Sequence, residues 1–169
     1  AVRNLMLAQQ FVHDHVMHFY HLHALDWVNA RHALAADPAD AADLQARLSP
    51  WPNRSADHFA AVQARLRDIL DSDRPSVFAA VAWDHPGYRL PAAADLLAMA
   101  HYFEALDWQA GATLIHTLFG GRNPHPNLVV GGVPLPIDLS SDAALDRRRL
   151  DLVRGNLTHL AAFVEQVYW

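Results

Sequence analysis

AVRNLMLAQQFVHDHVMHFYHLHALDWVNARHALAA, from Ala1 to Ala36, decides the fold class of this chain. Its apolar residues Phe11, Val12, Val16, Phe19, Leu22, Leu25 and Trp27 cover nearly the whole circumference of a wheel turning ~100° per residue. A helix that is apolar all round is a buried helix. The stretch therefore predicts one long core helix that ends before Asp37-Pro38. Within it, residues 13–23 carry His13, His15, His18, His21 and His23, five of the 12 histidines in 169 residues.

Three more helices emerge from the pattern outward. Ser55 is a suitable N-cap for a segment running to Leu70, with Phe59, Val62, Leu66, Ile69 and Leu70 at helical spacing. Pro91 suits a first helical position, and the segment it opens runs to Phe119, where Gly120-Gly121 stops it. A last segment runs from about Ser141 to Tyr168, with Leu145, Leu150, Leu152, Leu157 and Leu160 along it. Breaks fall at Leu48-Ser49-Pro50-Trp51-Pro52 and at Asp84-His85-Pro86-Gly87-Tyr88. The stretch GGRNPHPNLVVGGVPLPIDL, Gly120 to Leu139, holds four glycines and four prolines, which argues against a helix. Leu128, Val129, Val130 and Val133 within it suit short extended pieces. The expected fold is all-α, a bundle of about four long helices, with residues 1–169 forming a single helical core segment. Ala24-Leu25-Asp26-Trp27 recurs as Ala105-Leu106-Asp107-Trp108. Two copies of a tetrapeptide do not make a repeat, and two helices using the same packing solution would explain them.

Composition removes several function classes. The net charge is −5 with a pI near 6.1, which lacks the basic footprint of a nucleic-acid binder. All 13 basic residues are arginine. There is no cysteine, so this chain by itself offers no disulfide, no thiolate nucleophile and no thiolate ligand for an iron–sulfur cluster. No apolar run approaches the ~20 residues of a spanning helix. The start shows no signal-peptide plan. Both ends read as cut, the first inside a helix and the last at Val167-Tyr168-Trp169.

On the wheel of the first segment, Asp14, His18, His21 and Leu25 share one side, which would let Asp14 reach His18 and His18 reach His21. Three readings compete. One is a buried polar network of histidines bonded to carbonyls or to each other. Another is a metal site. A ferritin-like di-iron centre needs four Glu, and the chain has only Glu104 and Glu165, which leaves at most zinc on His18 and His21. The third is a supporting role beside a site supplied by other segments. The Pro-rich loop has alternatives too. Pro124 and Pro126 fix the backbone on both sides of His125, making either a rigid turn or a histidine held at an interface or beside a redox centre. Gly120-Gly121 and Gly131-Gly132 allow close approach of another backbone. No phosphate-binding glycine motif, Ser nucleophile motif or H-E-x-x-H is present.

DHVMHFYHLHALDW (Asp14 to Trp27), HYFEALDWQ (His101 to Gln109), GGRNPHPN (Gly120 to Asn127) and GGVP (Gly131 to Pro134) resemble the large subunit of nickel–iron hydrogenases, most closely the membrane-bound uptake type. VRNLM at the start and FVEQVY near the end match as well, so the resemblance runs the length of the chain in order. It implies an enzyme that interconverts dihydrogen with protons and electrons at a nickel–iron centre whose iron carries cyanide and carbon monoxide. Four cysteines in two C-x-x-C motifs hold that centre in the family, and neither motif is here. The resemblance thus implies a helical middle portion, inactive alone, binding no metal itself, and partnered by a small subunit with iron–sulfur clusters. Asp14 matches the family's aspartate above the metal pocket, which orients an arginine and water. His125 matches the histidine of the NPHP loop, which with Arg122 and Asn123 faces the small subunit near its proximal cluster. Arg122 stands where the family often has lysine. Leu135-Pro136 departs from the family's common Cys-Ala. The resemblance further implies the periplasmic face of the bacterial cytoplasmic membrane. A regulatory hydrogen sensor, which would be cytoplasmic, and a non-catalytic helical assembly module are the alternatives.

Overall fold

The computed structural model describes residues 2–73, 77–78, 86–126, 129–130, 133–134 and 146–169. Among the described residues it is all-α, as expected, with five α-helices: α1 (Val2–Met17), α2 (Pro38–Leu48), α3 (Ala56–Leu70), α4 (Ala92–Gly120) and α5 (Arg147–Phe163). Two-residue strands β1 (Val129–Val130) and β2 (Val133–Pro134) pair antiparallel, Val129 opposite Pro134 and Val130 opposite Val133. These are the short extended pieces expected in the Pro-rich stretch. Leu128, Gly131-Gly132, Leu135-Pro136, Asp84-His85 and the Ser141 helix start lie outside the described residues. Among the described residues, no helix is long and apolar enough to cross a membrane.

The chain divides into two compact units, one of Met17–Ala105 and one of Ala1–Val16 with Leu106–Trp169. In the first, helix boundaries follow local chemistry. Asp37 caps α2 by accepting from the Ala39 amide at 2.9 Å, with Pro38 at the first helical position. The sequence marks Asp37-Pro38 as a stop; the structure shows that it also starts a helix. Ser55 caps α3 as expected, accepting from the His58 amide at 3.1 Å. Helix α2 packs on α3. The buried Gln63 side chain of α3 donates to the carbonyls of Ala33 (3.0 Å) and Ala36 (2.8 Å), satisfying the end of the 3-10 turn His32–Ala35.

Helix α4 supplies the rest of this unit's core, where its Leu96, Met99, Ala100 and Phe103 are buried, as are Phe59 and Leu66 of α3. Two carboxylates on α4 tie down loops. Glu104 accepts from the Trp51 indole and the Asn53 amide, both at 2.8 Å. Asp95, 1% exposed, accepts from the Asn29 amide at 2.9 Å and the His32 ring at 2.8 Å. Burial pushes the Asp95 carboxyl up, the two bonds pull it down, and burial prevails.

The other unit is built on Trp108. Its ring stacks on Phe163 of α5 at 5.7 Å, and its indole N–H donates to the Leu160 carbonyl at 3.3 Å. Helices α4 and α5 approach closely at Gly111, whose carbonyl accepts from Asn156 at 2.6 Å; a Cβ there would sit 3.0 Å from the Asn156 oxygen. Asp146 caps α5 through the Arg149 amide at 2.8 Å.

Two expectations need correction. The first segment is not one helix to Ala36. It turns from α into a π-turn at His18–His23 and then a 3-10 turn at Ala24–Asp26. Nor is it buried all round: Phe11 is 62% and Leu22 68% exposed. Neighbouring elements cover only the Met6, Gln9 and Val16 side of α1, and only Tyr20 and Ala24 in the two turns after it. The tetrapeptide echo also fails as shared packing. Trp27 ends a 3-10 turn and is 39% exposed, whereas Trp108 lies inside α4 at 3%.

His101 gives this fold a pH signature. Its Nε2 meets the Gln45 side-chain oxygen at 2.7 Å, and burial, with the nearby His58 charge second, drives its pKa from 6.5 to about 4. The folded value lies below the unfolded one, so the stabilisation is complete above pH 6.5 and is lost as pH falls through about 4. A shift of this size is on the order of 3 kcal/mol. His101→Gln should flatten urea-unfolding stability between pH 6.5 and 4 relative to the parent chain; equal slopes would refute it.

Candidate functional site: the Asp14 cluster and the Arg122–His125 turn

Asp14 projects from the last turns of α1 and is exposed. Its carboxylate accepts from the Gln10 amide one turn earlier and lies 3.1 Å from His13 Nδ1. The Gln10 bond holds its carboxyl below the usual range; its slight burial opposes this, while His13 and the more distant His116 assist. Asp14 is therefore an anion at neutral pH that still offers free acceptor capacity to solvent. His13 presses its ring on Trp108 at 6.4 Å and 17°, so the cluster is braced from below by the unit's core. His13 Nε2 is buried without a hydrogen-bond partner.

The second group is the turn that succeeds α4. Gly121, at φ 77, ends the helix with its amide donating to the Thr117 carbonyl at 2.8 Å. Glycine takes this left-handed cap without the Cβ clash other residues meet. Arg122 Nε then donates to the His125 carbonyl at 2.8 Å, and the Asn123-Pro124 peptide is cis. His125 itself sits at φ 57, in the left-handed region. Arg122, Asn123 and His125 are all exposed. The structure thus brings these three residues into one closed turn that displays a guanidinium and an imidazole.

A buried histidine that sequence reasoning passed over stands behind this turn. His116, 3% exposed, meets the Asn123 side-chain oxygen at 3.0 Å with Nδ1 and the Met6 carbonyl at 3.1 Å with Nε2. The available signal was a lone histidine on an otherwise apolar stretch of α4, seven positions before Asn123.

His18 and His21, the pair named for a possible buried polar network, do not meet each other. In a π-turn the hydrogen bonds run from i to i+5, as the Ala24 amide to Phe19 carbonyl bond shows. The turn widens, and side chains five apart become neighbours. His18 therefore meets His23, with ring centroids 4.5 Å apart, and is exposed. His21 turns inward, where its Nε2 lies 3.2 Å from the Tyr102 carbonyl and its Nδ1 has no partner. Burial lowers its pKa. His23 stacks on Trp27 and lies 3.2 Å from Asp26. Among the described residues, no group of three His, Asp or Glu is gathered to hold a metal ion.

Comparison with known proteins places the sequence. The chain is 45% identical to the uptake hydrogenase large subunit of Rhodobacter capsulatus and 46% identical to that of Bradyrhizobium diazoefficiens, over 99% of its length in each case. It is 42% identical to the hydrogenase-1 large chain of Escherichia coli over 98% of its length. The chain spans only 28–29% of the length of these relatives. The family described as nickel-dependent hydrogenase matches residues 1–169, the whole of the sequence. With a match of that extent, the chain belongs to the nickel-dependent hydrogenase family.

Proposed function

We propose that this chain is a portion of the large subunit of a nickel–iron hydrogenase that, when complete, oxidises dihydrogen and passes electrons to an iron–sulfur small subunit. The observation that carries the proposal is the family match over all 169 residues, together with relatives named as large subunits. Relatives named as uptake hydrogenase large subunits favour the uptake type, and we propose the periplasmic face of the bacterial cytoplasmic membrane as its place. The exposed apolar side chains Phe11, Val12, Leu22 and Leu48 fit a chain whose outer faces meet further protein.

The residues present do not fit as direct holders of nickel. The chain has no thiolate, and its described histidines and carboxylates do not converge in threes. What they fit is support. Asp14, anionic and partly free, can orient a cationic side chain or water beside a metal pocket without binding metal. The Arg122–His125 turn is closed upon itself and projects charge outward, which suits a docking surface better than a linker.

Three measurements test the proposal. The 169-residue chain, exposed to nickel and dialysed against chelator, should retain far less than one equivalent by elemental analysis; stoichiometric retention would defeat the reading of a support segment. In the complete large subunit, Asp14→Ala should lower dihydrogen turnover by about tenfold or more with nickel and iron contents unchanged. Normal turnover would reject Asp14 as an orienting group. In the assembled heterodimer, His125→Ala should slow dihydrogen oxidation or shift the potential of the nearest cluster while the metal centre stays loaded. If rate and potential both match the parent, His125 is an ordinary turn residue.

A further inference from the structure

The turn Gly121–His125 is exposed, places two residues in the left-handed region, and yet is held in one shape. Two prolines flank His125 and remove amide donors that would otherwise tie the turn down. The Arg122 Nε bond to the His125 carbonyl closes the turn on itself, and the Gly121 amide ties its first residue to α4. Among the described residues, the buried side chain that reaches the turn beyond that first residue is His116.

The chemistry of His116 is constrained on both sides. The Met6 carbonyl can only accept, so Nε2 must carry hydrogen and donate across 3.1 Å. Nδ1 faces the Asn123 side-chain amide at 3.0 Å. That amide has a donor end and an acceptor end, exchanged by a half-turn, so it satisfies Nδ1 whether the ring is neutral or protonated. With 3% exposure, the ring has no water to replace either partner. One side chain thus joins three places: the Met6 carbonyl in α1, the body of α4, and the side chain of Asn123 in the turn. Helix α1 is also the helix that carries Asp14, and the His116 charge acts on the Asp14 carboxylate through space.

We propose that His116 is a positioning residue, whose two ring nitrogens lock the Arg122–His125 turn to α1 and so hold the turn and Asp14 in a fixed relation. This deepens the function proposed above, since it names the residue that presents the turn to a partner subunit. It makes the turn part of the helical body, so that its exposed Arg122 and His125 meet a partner already ordered.

The experiment reads the lock directly in the 169-residue chain. Limited trypsin digestion with mass spectrometry gives the rate of cleavage after Arg122, which tracks the population of the opened turn. His116→Phe keeps a buried ring and removes both bonds; it should raise that rate about tenfold or more, with cleavage after Arg149 unchanged. Asn123→Ala cuts the lock from the exposed side without touching the core, and should do the same even if the Phe variant misfolds. His116→Gln can donate to Met6 and still pair with Asn123, so it should return cleavage close to the parent rate. Carboxyl NMR supplies a second readout: Asp14 should titrate at higher pH in both His116 variants, because neither can carry charge. Unchanged cleavage in His116→Phe and Asn123→Ala would overturn the proposal, as would a Gln variant as labile as the Phe variant. Faster cleavage in these variants, beside a heterodimer indifferent to His125→Ala, would uphold the lock and reject the docking role of the turn.

Discussion

Burial of α4 is the constraint on which the remaining structure depends. Leu96, Met99 and Ala100 near its start, and Ala112, Ile115 and Phe119 near its end, are essentially removed from water. A helix apolar on most sides has to be covered on most sides, and α1, α3 and α5 all contribute to the cores around it. The few polar groups on α4 are then obliged to find partners, since an unpaired polar atom in such surroundings costs about 1–3 kcal/mol. Asp95, His101, Glu104 and His116 each do so with a group from a loop or another helix. The apolar face thus sets where the loops are attached, because each polar interruption in it becomes an anchor.

Much of this was legible from residue patterns, and the reasons are local. Ser55, Pro91 and Gly121 act through the backbone within one helical turn, so their effect can be read without knowing the tertiary structure. The start of α2 was legible in principle by the same chemistry. Asp37-Pro38 serves two segments at once, and reading it only as the end of the first hides the helix it opens. The family resemblance was carried by long motifs in order, and the match over residues 1–169 agrees with it.

The features that stayed hidden depend on distant partners. Nothing in HFYHLH announces a π-turn; a wheel with fixed angular step put His18 beside His21, and the widened turn put it beside His23 instead. The role of His116 was equally out of reach, because its partners Met6 and Asn123 lie 110 positions upstream and 7 downstream. Arg122, Asn123 and His125 stand out in the sequence and lie together in one turn, while the bonds that shape the turn are visible only in three dimensions.

The stacking of His13 on Trp108 makes the Asp14 cluster visible to light. Trp108 is an indole at 3% exposure that neighbours both the His13 imidazole and the Phe163 ring. Imidazole quenches indole emission, so the brightness of Trp108 depends on how near the His13 ring lies. The two rings are nearly parallel, and the same His13 lies 3.1 Å from the Asp14 carboxylate. Emission from Trp108, isolated by replacing the other tryptophans with phenylalanine, is therefore an optical gauge of whether the wall that carries Asp14 is in place. It needs no probe attached to the protein, because the fold has built the reporter and its quencher into the same wall.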